Sequence, residues 1–542
     1  MNRGSLWRKW DLHVHTPFSY INSFKSWDDY ISKLNEVTKK KDIKVLGITD
    51  YFSIEGYEEI ITKYRSKLEN VKLLLPNIEF RLDNIVYRRN NREPKRLNFH
   101  VIFSNEVETK DVKNQFLGDL HFYKGSGNAG ELSKIKLEKS AIERYGKECR
   151  QQKEFKNDSD LSAGAKNVVF KLDEIVNTLK NKPEYFKGKY LLFLESEFWS
   201  DIDWGQDYGL RKTLLQVSHG IFDSNPNDIK WFLGLDTNYY SSQQEFIKEF
   251  GRLFPCIHGS DAHKNEELET RPDSDRYCWI KADPTFEGLK QIIYEPEERV
   301  RIQPENPEPR KNIYTLDFIK IQNSCISDEL SIEEQEILLN RNLITVTGGK
   351  GSGKTALLDL IANCFEDRCK RSGEDKNSFI QRIEDQKKDL EVEIGFIGED
   401  IKKFSKKLVE EKFFGDSRVT YLPQGKIEEY SGNRQKLHKK IEEIIFSNKD
   451  VIDGGYKQKF DEIRDKIDEI TKQIDEINRE IYKFEEDTKE EIIVEITSKK
   501  RIKEGELKDK RDELGRLTES MEEDIKESIE KLKKEEMSQP PN

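Results

Sequence analysis

The chain is short of the residues and runs that would place it in several large classes. Its six cysteines (Cys149, Cys256, Cys278, Cys325, Cys364 and Cys369) are scattered through 542 residues without one Cys-x-x-Cys pair. That excludes a disulfide-built secreted scaffold and a thiolate zinc finger, and it points to a reducing, cytoplasmic compartment. No run of about 18 apolar residues occurs, so a membrane-spanning helix is not expected. The first residues, Met1-Asn2-Arg3-Gly4, lead straight to Trp7 and Trp10 without the apolar stretch of a signal peptide. Positive charge is not in excess, because the formal net charge is −11. No global basic field therefore advertises nucleic-acid binding, and any such surface must be local. Histidine is scarce too, with eight in the chain, so where each one falls carries information.

What the chain has in quantity is charge of both signs. Charged residues make up 36% and the mean hydropathy is −0.84. That is too polar for one compact globule and predicts long exposed helices beside the packed parts. The length permits two or three domains with a sizeable core.

The scarce histidines are concentrated. Asp11-Leu12-His13-Val14-His15 reads as a short strand, on which residues two apart share a face. His13 and His15 then aim two imidazoles the same way, the start of a transition-metal site. Asp261 and His263 repeat the spacing after the apolar run Leu253–Ile257. Between these pairs, apolar runs end in Asp50, Glu79 and His100. Strand ends that face one mouth are how barrels assemble sites. A set of nitrogen and oxygen donors without thiolate suits Zn, Mn or Fe, held as two or more ions.

Asp11–Ser19, Gly47–Asp50, Glu79, His100 and Gly259–His263 together resemble the motifs of the PHP (polymerase and histidinol phosphatase) metallo-phosphoesterase superfamily. The resemblance implies a distorted (β/α)7 barrel with two or three metals at its mouth. It also implies His13, His15, Asp50, Glu79, His100, Asp261 and His263 as ligands, with Glu79 bridging two ions and Asp261, His263 and Glu79 at the reaction. Two positions depart from the pattern: Tyr20 stands where Asp is frequent, and Tyr51 where His is frequent. A further ligand is usually a His on the strand before the last two; here the strand Tyr190–Leu194 ends in Glu195, which would substitute. His219, read as helical, is the weaker stand-in.

Along the chain, 1–302 alternates apolar runs with helical patterns, as a β/α domain should. Helices are expected at Trp27–Val37, Tyr57–Leu68, Phe170–Leu179 and Leu210–Ser218, and strands at Tyr190–Leu194, Trp231–Leu235 and Phe254–Ile257. Tyr87–Arg96 is a polar hairpin or loop holding Arg88, Arg89, Arg92, Lys95 and Arg96. It is either a solvated basic loop or a place for phosphates. A polar stretch at about 118–165, with His121 and a helix at Lys136–Lys153, reads as an insertion at the barrel rim. The closing string Trp279–Gln291 with Glu295–Val300 is similar to the close of the PHP domain in TrlF-family AAA-like ATPases. A Pro/Glu-rich linker follows at 303–313.

A second domain is expected at 314–447. Asn342–Thr347 reads as a buried strand, followed by Gly348-Gly349-Lys350-Gly351-Ser352-Gly353-Lys354-Thr355 and a helix at Ala356–Phe365. This is G-x-x-x-x-G-K-[ST] in strand–loop–helix order. Its glycines let backbone N–H groups wrap phosphates, Lys354 reaches the β- and γ-phosphates of ATP, and Thr355 offers its hydroxyl to Mg²⁺. Arg418–Gly425, with Pro423-Gln424-Gly425 at its end, resembles the Q-loop of ABC and SMC ATPases, where Gln424 would contact Mg²⁺ and the attacking water. From Phe460 to Phe484 apolar residues recur at spacings of three and four between charged ones, a heptad seam. The seam breaks near Ile492–Ile496 and resumes through Leu507, Leu514, Leu517, Met521, Ile525, Ile529 and Leu532. The expected organisation is an SMC/ABC-like P-loop lobe, then a coiled-coil arm at 448–535 and a tail at 536–542.

No Leu-Ser-Gly-Gly-like signature and no Walker B segment follows the coil, so both are expected from a second lobe or a partner chain. The expected function is a metal-dependent phosphoesterase, a nuclease, fused to an ATP-binding SMC-like module. The resemblance implies DNA as substrate, a homodimer or higher oligomer through the ATPase lobe and coil, no membrane, and a role in bacterial genome defence or DNA repair. The alternatives are an ATP-driven DNA-binding module with a structural or sensing PHP domain, and a phosphatase of small molecules or nucleotides.

Overall fold

The protein was analysed as a computed structural model that describes residues 3–90, 92–125, 132–195, 199–205, 207–308, 315–327, 330–332, 334–365, 379–383, 389–397, 403–408, 410, 412–414, 421, 432–446, 451, 454–486 and 493–538. The chain divides into two compact units. One comprises Met1–Pro309 and Leu338–Ile344, the other Arg310–Ile337 and Thr345–Asn542.

The first unit is mixed α/β. Its strands, in chain order, are β1 (Trp7–His15), β2 (Ile43–Tyr51), β3 (Leu73–Tyr87), β4 (Pro94–Phe103), β5 (His121–Gly125), β6 (Leu132–Lys136), β7 (Tyr190–Glu195), β8 (Gly220–Phe222), β9 (Cys256–Ile257), β10 (Tyr277–Lys281) and β11 (Val300–Gln303). Nine of them form one sheet in the order β11-β10-β1-β2-β3-β4-β7-β8-β9. β1, β2 and β3 run parallel, β4 is antiparallel to both β3 and β7, and β7, β8 and β9 run parallel again. A parallel bridge between Val14 and Ala262, just past β9, carries the sheet back to β1 and nearly closes it. The closed ring is consistent with a barrel, and β10 and β11 extend it outward from β1.

Alternation along the strands sorts the two faces. Ile78 and Phe80 of β3 and Phe99 and Val101 of β4 join the larger core between the sheet and its helices. Leu75 and Ile102, of opposite parity, join a second core with Phe193, Phe222 and Ile257. Glu79 and His100 share the parity of that second set, so they continue an apolar face at one end.

The covering helices follow local rules. Trp27–Lys41 starts at Ser26, whose hydroxyl accepts from Asp29 N (3.2 Å), and ends at Asp42 in the left-handed conformation (φ +57°). Asp28 and Asp29 lie at its positive end and Lys39–Lys41 at its negative end. Tyr30, Ile31, Leu34 and Val37 make its buried stripe. The polar stretch at about 118–165 contains the β5–β6 hairpin and two helices, Lys139–Cys149 and Asp160–Ala165.

Two expectations change here. Trp231–Leu235 is not a strand: Trp231 and Phe232 end helix Pro226–Phe232, and Leu233-Gly234 form a turn. Asn225 caps that helix by accepting from Asn227 N (3.0 Å), and Pro226 at its first position favours the turn. The aromatic run Trp231-Phe232 is thus a buried helical face. His219 lies between a helix that ends at Val217 and β8, and its Nδ1 accepts from Leu192 N (2.9 Å). It is a partly buried strand-pairing histidine, and desolvation pushes its pKa down to about 4.

In the second unit, β12 (Leu316–Gln322), β13 (Cys325–Ser327), β14 (Leu330–Ser331), β15 (Glu336–Leu338), β16 (Glu391–Phe396) and β17 (Lys403–Lys407) precede a long helical part. Four of them pair as β15-β12-β16-β17. Asn342–Thr347 is not a strand, contrary to its apolar pattern. A buried central strand needs partners on both sides, and among the described residues none pairs with it. Leu343 is 88% exposed in consequence.

The heptad region is two helices, Tyr456–Glu486 and Ile493–Ser538, packed on each other. The short connection forces an antiparallel hairpin, and Lys503 pairs with Glu480 across it (3.0 Å). Ile493–Ile496 of the expected break open the second helix, which is a returning arm; residues 487–492 lie outside the described residues. Ile470 and Leu507 are buried, whereas Ile525 and Ile529, toward the end of the second helix, are half-exposed.

Phe99 is fully buried next to a site residue. Replacing it by Ala should cost about 3–5 kcal/mol of the first unit's stability by loss of apolar contact and the cavity left behind. Tyr482→Ala, on the exposed face of the hairpin, should change stability by less than about 0.5 kcal/mol. Denaturant titrations of the two variants check this.

Candidate metal centre and nucleotide site

β1 places Asp11, His13 and His15 on one face, and β3 and β4 set Glu79 directly opposite His100. His100 in turn is opposite Phe193 of β7, two residues before Glu195. The loop after β9 returns over β1 and delivers Asp261. His13 Nε2 is the hub, 3.2 Å from His15 Nε2, 3.2 Å from Glu79 Oε2 and 3.3 Å from Asp261 Oδ1. His15 Nε2 lies 3.4 Å from the same two carboxylate oxygens, and His100 Nε2 lies 3.3 Å from Glu195 Oε2. Two triads, His13–His15–Asp261 and His13–His100–Glu195, have their donor atoms within 4.8 Å of one another. Either could hold a metal ion. An imidazole nitrogen has one lone pair, so His13 can serve only one ion at a time.

The far sides of the rings are fixed. His15 Nδ1 pairs with Ser19 Oγ (2.9 Å), and His100 Nδ1 donates to Asn77 Oδ1 (3.3 Å). Asn77 is itself held by donating to Leu12 O and Thr49 Oγ1 (both 3.0 Å). Such partners set the ring orientation and leave Nε2 facing the cluster.

The charges are balanced for a cation. Burial alone would push the His13 imidazole down, but Asp261, then Glu79 and Glu195, overcome it and lift its pKa to about 10. Burial acts to raise the Asp261 carboxyl, yet His13, His15 and His263 hold it down at about 2. Glu79, fully buried, is held well below the usual range by His13 and His15 against the same burial penalty. A dry nest of carboxylates that holds positive charge this firmly fits a divalent ion by its donor chemistry.

Two expected ligands stand apart. Asp50 has the parity of Leu46 and Ile48, which face the larger core, so its carboxylate turns away. It accepts from Thr16 Oγ1 (2.9 Å), Thr16 N (3.3 Å) and Gly56 N (3.1 Å), and burial lifts its pKa to about 7. Tyr51 has the inward parity instead, and its hydroxyl meets His263 Nε2 at 3.2 Å. His263 stacks on His15 with centroids 3.9 Å apart, and its Nδ1 donates to Asp261 O (3.1 Å). Its Nε2 thus faces Tyr51, while its Nδ1 stays beside Asp261, 3.6 Å from the Oδ1 of the first triad.

Sequence reading overlooked three residues. Asp11, though in the same i, i+2 series as the histidines, is a tie: its Oδ1 accepts from Ser260 N (2.9 Å) and His13 N (3.3 Å). Asn77 is the support just described. Arg271, with no motif to announce it, donates to Asp261 O (3.0 Å) and Ser260 O (3.3 Å). Asp261 needs that hold, for it sits at φ +47°, a conformation costing of order 1–3 kcal/mol outside glycine. Beside the cluster opens a cavity of about 510 Å³ lined by Glu195, His258, Arg271 and Arg276 among others.

Gly259 is where the returning loop passes closest to β1. A Cβ there would stand 2.5 Å from His13 Cβ and 2.6 Å from His13 N. Gly259→Ala should therefore leave the far-ultraviolet circular dichroism of the purified protein intact. It should at least halve the metal bound per chain, by elemental analysis.

In the second unit the loop Gly348–Thr355 opens helix Lys354–Ala362. Gly351 and Gly353 stand at φ +84° and +85°, backbone positions that glycine adopts freely. Lys354 Nζ donates to Gly348 O (2.9 Å) and Gly349 O (2.7 Å). Its ammonium thus lies inside the loop formed by Gly348, Gly349, Lys350, Gly351, Ser352 and Gly353, beside a cavity of about 400 Å³. Asp359, fully buried on the same helix, accepts from Phe379 N (2.8 Å) and from Tyr421 Oη. That ties the helix to the segment before Gln424. Gln424 itself lies outside the described residues.

Residues 326–539 match the family model of an AAA domain. No curated protein matches the chain. The match spans the phosphate-binding loop and the helical hairpin together, so residues 326–539 form an AAA-type, nucleotide-binding ATPase module.

Proposed function

We propose that the first unit is a metal-dependent phosphoesterase that cleaves phosphodiesters in nucleic acid, and that the ATPase module acts with it. The observation that carries this reading is the convergence of three imidazole Nε2 atoms with Glu79, Glu195 and Asp261 at the edge of an arginine-bearing cavity. The PHP resemblance of the same residues supports it, and the TrlF-like close of the domain supports its pairing with an AAA-type ATPase.

In this reading His13, His15 and Asp261 would hold one divalent ion, and His100, Glu195 and Glu79 would hold a second. Tyr51 occupies His263, which favours two ions over three. Bound ions supply Lewis acidity toward a phosphoryl oxygen and an activated water. The protein's own part is orientation and charge. Ser19 and Asn77 keep the imidazoles aimed. Arg271 and Arg276 give the cavity positive charge for a phosphate. Asp261 and Glu79 confine positive charge to the mouth. His263 and Tyr51 close its upper wall with stacked rings.

The ATPase module takes ATP and Mg²⁺, with Lys354 and Thr355 at the phosphates and Gln424 at the Mg²⁺ and the attacking water. A second lobe or partner chain would supply the signature and Walker B elements, and association through the lobe and the hairpin would make a homodimer or larger assembly. A cytoplasmic role in genome defence or repair is the biological setting this combination fits.

Two experiments test the reading. Wild type with Mn²⁺ should cleave labelled DNA or RNA on a denaturing gel, EDTA should stop it, and Asp261→Asn should lower turnover about a hundredfold or more, because a ligand change removes charge stabilisation met only in the transition state. Release of phosphate from mononucleotides without strand cleavage would replace it with the phosphatase reading. Lys354→Ala should abolish tight ATP binding by equilibrium dialysis while leaving bound metal unchanged.

A further inference from the structure

The first unit holds a second cavity, of about 530 Å³, that the phosphoesterase reading does not use. Arg211 lines it, with its guanidinium carbon 4.2 Å from the centroid of the Trp231 ring and 5.9 Å from those of Trp199 and Trp204. Arg211 is half-buried, its Nε has no hydrogen-bond partner, and among the described residues no carboxylate forms an ion pair with it. Such a charge is costly to bury unless something completes it. Tyr239 also lines the cavity and is 55% exposed, although large aromatic rings usually bury most of their area.

The basic hairpin between β3 and β4 is fastened to the same place. Arg89 donates its backbone N–H to Asp201 O (2.7 Å) and its Nε–H to Ile202 O (3.0 Å), and Asp203 N donates to Tyr87 O (2.8 Å). Neighbouring residues of one chain segment link this cavity to the one beside the metal cluster. Ser224 and Asn225 line the cavity beside the cluster, and Asn227 and Asp228, next along the chain, line this one.

We propose that this cavity receives one unpaired base of a single-stranded nucleic acid whose neighbouring phosphate lies at the metal cluster. The inference rests on the phosphoesterase reading for its orientation but not for its binding chemistry. A guanidinium plane braced by Trp231 and a phenol ring are both stacking platforms for a base. The side chains of Asn227 and Asp236 offer donors and acceptors for its edge. Arg89 meets the backbone. A cationic ligand is disfavoured because Arg211 already takes the aromatic face. A base inside a duplex is excluded because it cannot leave its stack without cost.

The test uses the full chain in EDTA, so that binding is read without cleavage. The probes are fluorescent oligothymidylate, an abasic strand of equal length, oligouridylate and a duplex, followed by anisotropy. Oligothymidylate, oligouridylate or both should bind at least about tenfold more tightly than the abasic strand and the duplex, as the stacking of a base implies. Tyr239→Ala should bring that ratio close to one. Arg211→Lys, which keeps the charge and removes the plane, should reduce it in the same direction. Equal affinity of wild type for base-bearing and abasic strands, or a ratio untouched by both substitutions, would overturn the proposal. Hydrolysis of bis(p-nitrophenyl) phosphate by wild type with Mn²⁺ reads the phosphoesterase separately. If that hydrolysis is present and the ratio is one, the base pocket falls and the phosphoesterase stands. If hydrolysis is absent and the Tyr239-dependent ratio persists, the reverse holds.

Discussion

The first unit depends on one crossing: the loop after β9 laid directly over β1. Asp11 accepts from Ser260 N, Asp261 N donates to His13 O (2.8 Å), and Val14 bridges Ala262. These contacts join the last strand of the ring to the first and bring Asp261 to the two histidines in the same step. Closing the sheet and completing the cluster are therefore one event. The buried Asp11 carboxyl, pushed up by its desolvation and held down by Ser260 and His13, is the polar group that makes the crossing specific.

Electrostatics then settle what the crossing can hold. Six titratable side chains meet in a largely dry mouth, and only a set with opposed charges survives there. Imidazoles and carboxylates alternate around His13, so each carboxylate lowers the cost of a neighbouring cation. The apolar face formed by Leu75, Ile102, Phe193, Phe222 and Ile257 lies behind them, and it keeps the local dielectric low enough for these interactions to matter.

The strand-end residues were legible because a period of two is rigid: His13 with His15, and Glu79 or His100 at the end of an apolar run, declare their face. Asp50 shows the limit, since a strand end says nothing of parity relative to the neighbours, and there Tyr51 and not Asp50 points inward. Trp231–Leu235 misled because a short aromatic run fits a buried strand and a buried helix equally; the Asn225-Pro226 start decides for the helix. Asn342–Thr347 misled for a different reason, because an apolar pattern describes a strand's needs and not whether partners exist. The ties made by Asp11, Asn77 and Arg271 were invisible, since contacts between residues far apart in the chain leave no local spacing to read. In the second unit, the phosphate-binding loop was legible from its glycines with Lys354 and Thr355, and the loss of register near Ile492–Ile496 coincides with the start of the second helix.

The helical hairpin has a mechanical side. Its first helix has 31 residues, a rod of about 46 Å at 1.5 Å per residue. Two helices zipped along their length bend far less than one, so a rotation at the base is transmitted instead of absorbed. On such a lever each degree of tilt moves the tip by about 0.8 Å. A small rearrangement where Arg464 meets Glu442 (3.5 Å) and Phe460 meets Phe446 (ring centroids 5.1 Å apart) would become a displacement of several ångströms at the far end.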